Sequence, residues 1–256
     1  MERRELINWT VGLSVAACGL PVDAQPGPAM RLGVDSLIQD SGLAGRWNAL
    51  MARDLGLKVD WVRATSGQVL TDLESGALPI GLFFRQDLAD RLEQDGLIHD
   101  RHTLAHTQTL LVGPANDPAR IRPLGTAALA LRQILMAQAA GACRWEAPLS
   151  ASALRPVSDA LVARAGMSAG PAGQGVPPSS SPPYRLLSQS EWAALPKALR
   201  QGLMVFNEKD PLLQLHCQVA RSFRARHPAS KLLADWLRGP VGRRGVQQAR
   251  AIWRQA

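Results

Sequence analysis

The chain is short of the residues that hold small folds together by covalent or metal bonds. It has three cysteines, one tyrosine and four phenylalanines in 256 residues. Cys18, Cys143 and Cys217 make no Cys-x-x-Cys pair, which argues against a zinc knuckle or a thioredoxin-type site. Cys18 lies in the N-terminal head, so at most one disulfide remains, and Cys143 and Cys217 read as small buried hydrophobes. No stretch beyond the first 24 residues is long and apolar enough to cross a bilayer. Basic residues form no long run and few aromatics interleave with them. The formal charge of +8 therefore reads as a solvated surface, and no nucleic-acid partner is expected. No internal repeat appears.

What is present suffices for a sizeable core. Hydrophobic residues make up 46% of the chain and charged ones 20%, enough for one large domain or two small lobes. Residues 1–24 have the profile of a signal peptide. Arg3 and Arg4 precede an apolar run from Leu6 to Leu20, and Val22-Asp23-Ala24 fits a small-x-small cleavage site. Val15-Ala16-Ala17-Cys18 competes as a lipobox that would put a lipid on Cys18. Gln25–Ala29 reads as a short linker. The expected location is periplasmic, either free or lipid-anchored.

Along the rest of the chain, strand and helix signals alternate. Met30–Val34 is a strand candidate, and Gln39-Asp40-Ser41-Gly42 reads as a helix start. Leu43, Trp47, Leu50, Met51 and Leu55 recur at helical spacing. Lys58–Arg63 is β-prone, and Thr65-Ser66-Gly67-Gln68 reads as a tight loop ahead of a helix. Pro79–Phe84 is a continuous apolar run, as in a buried parallel strand. Gln86–Asp95 is a helix, and Thr109–Val112 a strand stopped by Gly113-Pro114. Further helices fall at Thr126–Ala140, Ser152–Ala165 (broken near Pro156) and Ser190–Leu199, with a Gly/Pro/Ser-rich loop at Gly166–Pro183. Gly202–Phe206 returns to strand. Leu215, Cys217 and Val219 suit a strand, although Leu212, Leu215 and Val219 also suit a helix. Ala229–Leu237 and Val241–Trp253 read as two helices split by Gly239-Pro240. The pattern predicts an α/β architecture with a largely parallel sheet.

Two motifs tempt towards chemistry. Gly166-Met167-Ser168-Ala169-Gly170 spells a nucleophile elbow, but a helix precedes it and a Gly/Pro-rich loop follows, whereas an elbow needs strand then helix. His99, His102 and His106 have metal-ligand spacing, yet the threonines among them favour loop or strand, which scatters the rings. No metal, cofactor or catalytic residue is expected, and the chain is not read as an enzyme.

An ordered series of short motifs carries a resemblance. Ile38-Gln39-Asp40-Ser41-Gly42-Leu43, Ser66-Gly67-Gln68-Val69-Leu70, and Leu111-Val112-Gly113-Pro114 with Asp117-Pro118-Ala119 resemble the bacterial tungstate-binding periplasmic protein family. Gly173-Gln174-Gly175, Tyr184-Arg185-Leu186, Asp210-Pro211-Leu212-Leu213, His227-Pro228, Asp235-Trp236-Leu237 and Gly239-Pro240-Val241-Gly242 continue it across nearly the whole mature chain. The resemblance implies a two-lobed periplasmic-binding-protein fold of type II-like form with two crossover strands, near Leu110–Gly113 and Val205–Asn207. Lobe 1 would comprise 30–110 and 206–256, with the C-terminal helices packed on it, and lobe 2 would comprise 111–205. The role implied is that of a monomeric solute-binding component of an ABC transporter, with the permease as partner and an oxyanion or another small polar ligand in the inter-lobe cleft.

The ligand site departs from the family pattern. Where the family carries a Thr/Ser run, this chain has Val34-Asp35-Ser36-Leu37-Ile38, so only Ser36 keeps a hydroxyl. The second-lobe Ser-Gly-Thr motif falls near Ser152-Ala153-Leu154. The arginine expected after the tyrosine is replaced within Leu187-Ser188-Gln189-Ser190, with Gln189 in its place. A tetrahedral dianion needs many donors and few acceptors. The candidate ligand residues are Ser36, Asp35, Thr65, Ser66, Ser152 and Gln189. Ser36 and Ser66 read equally well as caps and turn residues. Asp35 either repels the anion or accepts a hydrogen bond from a protonated one. The alternative reading is a degenerate binding-fold sensor or partner-binding protein with no transported ligand.

Overall fold

Apolar spacing decides most elements of the fold. The computed structural model describes residues 29–167, 182–207 and 209–256; the N-terminal head read as a signal peptide, most of the Gly/Pro/Ser-rich loop, Gly173-Gln174-Gly175 and the Ser168–Gly170 part of the elbow-like motif lie outside them. The chain enters through strand β1 (Met30–Asp35), a short helix α1 (Ser36–Asp40), helix α2 (Leu43–Leu55), β2 (Val59–Ala64), α3 (Ser66–Ser75), β3 (Ile80–Phe83) and α4 (Gln86–Gln94). A 17-residue strand β4 (Ile98–Pro114) follows. Then come α5 (Ala127–Ala139), a two-residue β5 (Trp145–Glu146), α6 (Arg155–Arg164), β6 (Tyr184–Ser188), α7 (Gln189–Ala194), α8 (Lys197–Arg200) and β7 (Leu203–Phe206). A 3-10 turn (Pro211–Leu213) leads to β8 (Gln214–Ser222), α9 (Pro228–Arg238), α10 (Pro240–Gln248) and β9 (Trp253–Gln255).

The strands form two sheet halves that share β4. The first half runs β2-β1-β3-β8-β4, with β9 on the free edge of β4. The second half flanks the other end of β4 with β6 and β7, and β5 lies beyond β6. Strand β4 changes partners between Gln108, opposite Gln214 of β8, and Thr109, opposite Ser188 of β6. That crossing is slightly earlier than Leu110–Gly113. The return leaves β7 at Phe206 and enters β8 at Gln214 through Asn207, which has a left-handed φ of 52°, a conformation that asparagine tolerates better than most residues.

The pairing is more antiparallel than the alternation implied. Among the described residues only β1–β2, β1–β3 and β5–β6 are parallel. The long strand β4 is antiparallel to every partner it has, which a reading limited to Thr109–Val112 does not anticipate. Other expectations shift for local reasons. The Gln39–Gly42 stretch does lead into a helix, with Gly42 at φ 78° as the N-cap of α2, but it also closes a short helix, α1, that begins earlier and is capped by Asp35. Thr65–Gln68 is the capped start of α3, not a loop. Pro156 sits in the first turn of α6, where its missing N–H is tolerated, and does not break the helix. Pro196 divides the expected Ser190–Leu199 helix into α7 and α8. The last helix stops at Gln248, and Trp253 belongs to β9.

The main core packs Leu32, Val34, Trp47, Met51 and Leu82 with Leu111, Leu131, Ile134, Tyr184 and Val219. Helix α10 lies on α2, where Trp47 Nε1 donates to the Gly242 carbonyl at 2.9 Å. A Cβ on Gly242 would meet the Leu237 carbonyl at 2.1 Å, so only glycine permits this approach. Gly113 is likewise pinned: a Cβ there would fall 2.1 Å from the Tyr184 ring. Tyr184 also donates its hydroxyl to Asp117 at 2.7 Å and accepts from Ala119 N, which ties β6 to the loop after β4. Cys143 and Cys217 are buried free thiols.

Candidate functional site

In an open sheet the C-terminal ends of parallel strands face the crevice where ligands bind. Here β1 and β3 end at Asp35 and Phe83, and the starts of α1, α3 and α4 gather at that edge. Asp35 is almost fully buried, at 1% exposure. One of its oxygens accepts from Leu37 N at 2.8 Å, so it caps α1; the other accepts from the Ser66 hydroxyl at 2.6 Å. Ser66 Oγ in turn accepts from Phe84 N at 2.9 Å. One carboxylate and one hydroxyl thus bind together the ends of β1, α3 and β3. Burial pushes the Asp35 carboxyl above its ordinary pKa of 3.8, against the opposing bonds from Ser66 and Leu37.

The other sequence-predicted residues occupy the same rim or face it. Ser36 is the half-buried first residue of α1. Thr65 caps α3, accepting from Gln68 N at 3.3 Å, which leaves its proton for another acceptor. Ser152 lies on the loop before α6 and accepts from Leu154 N at 3.2 Å. Gln189 is the first residue of α7, whose cap is Ser188 in a capping box with Glu191. Helix α7 touches α1. Gly67 lies against Ala151: a Cβ on it would stand 3.7 Å from the Ala151 backbone.

The structure adds two residues that sequence reasoning missed. Arg85, immediately after β3, donates to the Ser150 carbonyl at 2.7 Å and holds Asp87 with two further bonds at 2.8 and 2.7 Å. It therefore joins the first sheet half to the loop that bears Ser152. Its signal was its position as the first charged residue after an apolar strand. Thr109 is fully buried opposite Ser188, and its hydroxyl has no partner. It opens the apolar run Thr109–Val112 directly after Gln108, so the sequence shows it as the start of a strand and not as a site residue.

Ser66 is no oxyanion donor in this arrangement, since its proton is held by Asp35. Of the first amides of α3, Gln68 N is taken by Thr65 and Ser66 N faces Asp35, so what the rim offers an anion is the Gly67 amide, which has no intrahelical acceptor, and the hydroxyls of Ser36, Thr65 and Ser152. His99, His102 and His106 lie elsewhere, along β4. His106 faces His216 with ring centroids 6.2 Å apart, and His99 meets Phe223 edge-on. Among the described residues no three His, Cys, Asp or Glu side chains gather closely enough to hold a metal ion.

Residues 46–249 match the model of a family described as bacterial extracellular solute-binding protein. The chain belongs to this family. Solved structures agree in fold. A periplasmic protein proposed as metal-binding superposes with a TM-score of 0.75 at 18% identity, covering 90% of this chain and 97% of its own. A tungstate ABC transporter protein from Geobacter sulfurreducens gives 0.69 at 21% identity, over 86% and 98% of the two chains. The tungstate-binding protein TupA from Desulfovibrio alaskensis G20 gives 0.68 at 16% identity, over 90% and 99%. At these identities the likenesses establish the fold, a type II-like periplasmic-binding-protein fold, and no ligand. No curated protein matches the chain.

Proposed function

We propose that this solute-binding protein serves an ABC transporter, holding a small anion of the oxyanion class, or another small polar solute, between its lobes. The observation that carries the reading is the junction of Arg85 with the Ser150 carbonyl and of Gly67 with Ala151. It sets the start of α3 against the second half of the molecule, with Thr65 and Ser36 on one side and Ser152 and Gln189 on the other. The lobes are taken as 30–110 with 206–256, and 111–205. The structures named for tungstate support the ligand class by likeness of fold, and the overall positive charge suits an anion. Export through residues 1–24, with the mature chain starting at Gln25 or at a lipidated Cys18, would place the protein in the periplasm, working as a monomer beside its permease.

Asp35 argues for weak binding of tungstate itself. It sets a buried carboxylate under the rim, occupies the Ser66 hydroxyl, and no arginine stands at Gln189. That same pair favours a second reading, a sensor that has lost its transported ligand. A thermal-shift panel of tungstate, molybdate, sulfate, phosphate and small carboxylates separates the two. A rise in Tm with any of them supports a solute-binding role, and a flat panel supports the sensor. An intact Met1 in a cytosolic fraction, seen by mass spectrometry, would contradict export.

A further inference from the structure

Two strands connect the halves of the molecule, and they leave the first sheet half side by side. Gln108 of β4 and Gln214 of β8 face each other as the last rung that these strands share. Beyond it β4 continues as the partner of β6 and β7. Strand β7 stays paired to β4 as far as Phe206, and the chain then runs on to Gln214 before it rejoins the first half. Two crossings one strand spacing apart, about 5 Å, define a line about which the lobes close, and together they oppose twisting about either strand alone. That holds only if the stretch between Phe206 and Gln214 is tied down. Slack there would leave β4 as the single firm connection.

Asp210 ties it. One carboxylate oxygen accepts from Ala127 N, the first amide of α5, at 2.6 Å, and the other from Leu212 N at 2.9 Å. The Asp210 carbonyl accepts from Gln108 Nε2 at 3.2 Å and from Leu213 N at 3.0 Å. One residue thus bonds to the return stretch, to a helix of the second half and to the first crossing strand. Asn207 adds a bond from its Nδ2 to the Leu124 carbonyl at 2.8 Å. Leu213 is buried, and its 3-10 turn touches α6. Packing does less around Asp210 itself. Lys209 and Pro211 are exposed, and a recess of about 490 Å³ lined in part by Thr126, Asn207, Lys209 and Asp210 lies beside them.

We propose that Asp210 is the positioning residue of the hinge. Its carboxylate makes the return stretch part of the second lobe, so the moving body runs from Thr109 to Leu213 and the pivot is the rung of Gln108 and Gln214. This body is wider than 111–205. The proposal rests on the two-lobed reading and concerns how the lobes move, whichever solute the cleft takes.

Three variants of the full chain separate the bond from the residue. Asp210→Ala removes every bond of the carboxylate. Asp210→Asn keeps a capping oxygen, since asparagine caps helix starts about as well as aspartate. Ala127→Pro removes only the N–H given to Asp210. Proline suits the first position of a helix, and Thr126 is already extended, at φ −133° and ψ 150°, as a residue before proline prefers. Small-angle scattering and amide exchange read the result without added solute, and thermal melts confirm that each variant is folded. Asp210→Ala and Ala127→Pro should enlarge the radius of gyration, and Asp210→Asn should stay near the wild type. Exchange at Leu212 should rise about ten-fold or more in Asp210→Ala, with the centres of β1, β3 and α5 unchanged. An unchanged radius in either folded variant, a radius in Asp210→Asn as large as in Asp210→Ala, or exchange that rises throughout both lobes would overturn the proposal. A flat solute panel would sink the binding reading and leave these outcomes as they are.

Discussion

Replacing Asp35 with threonine should turn a weak oxyanion site into a stronger one. The carboxylate is 1% exposed and holds the Ser66 proton at 2.6 Å. A monoanion held about 6 Å away, at an effective dielectric near 20, meets roughly 3 kcal/mol of repulsion. Freeing the Ser66 hydroxyl to donate adds on the order of 1 kcal/mol. Together these correspond to about a 10³-fold gain in affinity at neutral pH. Threonine can still cap α1, so Leu37 N keeps an acceptor. Asp35→Asn removes the charge without changing the shape and should give part of the gain. The pH dependence has a definite sign. Because burial raises the folded pKa above 3.8, the native state keeps a proton that the unfolded chain has lost just above that value. Stability from this group therefore falls as pH rises through the window, and anion affinity falls with it. Calorimetric titration of wild type and both variants with molybdate or tungstate, at neutral and mildly acidic pH, measures these effects. Unchanged or weaker binding in Asp35→Thr, or tight tungstate binding by the wild type, would refute the reasoning.

Other perturbations have clear expected outcomes. Ser66→Ala leaves Phe84 N unpaired in the interior and takes the hydroxyl bond from Asp35, and should lower stability by about 3 kcal/mol in urea denaturation. Gly113→Ala drives a methyl into the Tyr184 ring and should lower stability by about 3 kcal/mol in the same assay. Arg85→Gln removes the charged donor to the Ser150 carbonyl, worth roughly 1.5–3 kcal/mol. The balance should shift at least about ten-fold towards a more open form, seen as a larger radius of gyration by small-angle scattering. An unchanged radius would mean that this bond does not hold the two halves together.

Periodic segments were readable from sequence because burial alone determines them. Leu43, Trp47 and Met51 line the buried face of α2, and the run before Arg85 is the fully buried strand β3. Strand β4 is visible only at its apolar end, because His99, His102 and His106 are half-exposed and Thr103 is exposed, polar residues that obscure the alternation. The start of α1 was missed because its cap, Asp35, follows directly on a strand, leaving no loop to announce it. Ser36 and Thr65 lie at one rim, Ser152 and Gln189 across from it, and Asp35 and Ser66 buried beneath it; sequence could not show that Asp35 and Ser66 bond to each other, since their pairing spans 31 positions. Ser66 reads equally as a ligand donor and as a cap or turn residue, and its proton is already committed to Asp35.

Native mass spectrometry of the purified protein tests the central claim most directly. The account predicts one small solute per chain, retained by the wild type and lost in Gly67→Phe, which fills the gap against Ala151. A wild-type protein free of any adduct under conditions that preserve weak complexes, or an adduct equally retained by Gly67→Phe, would contradict it.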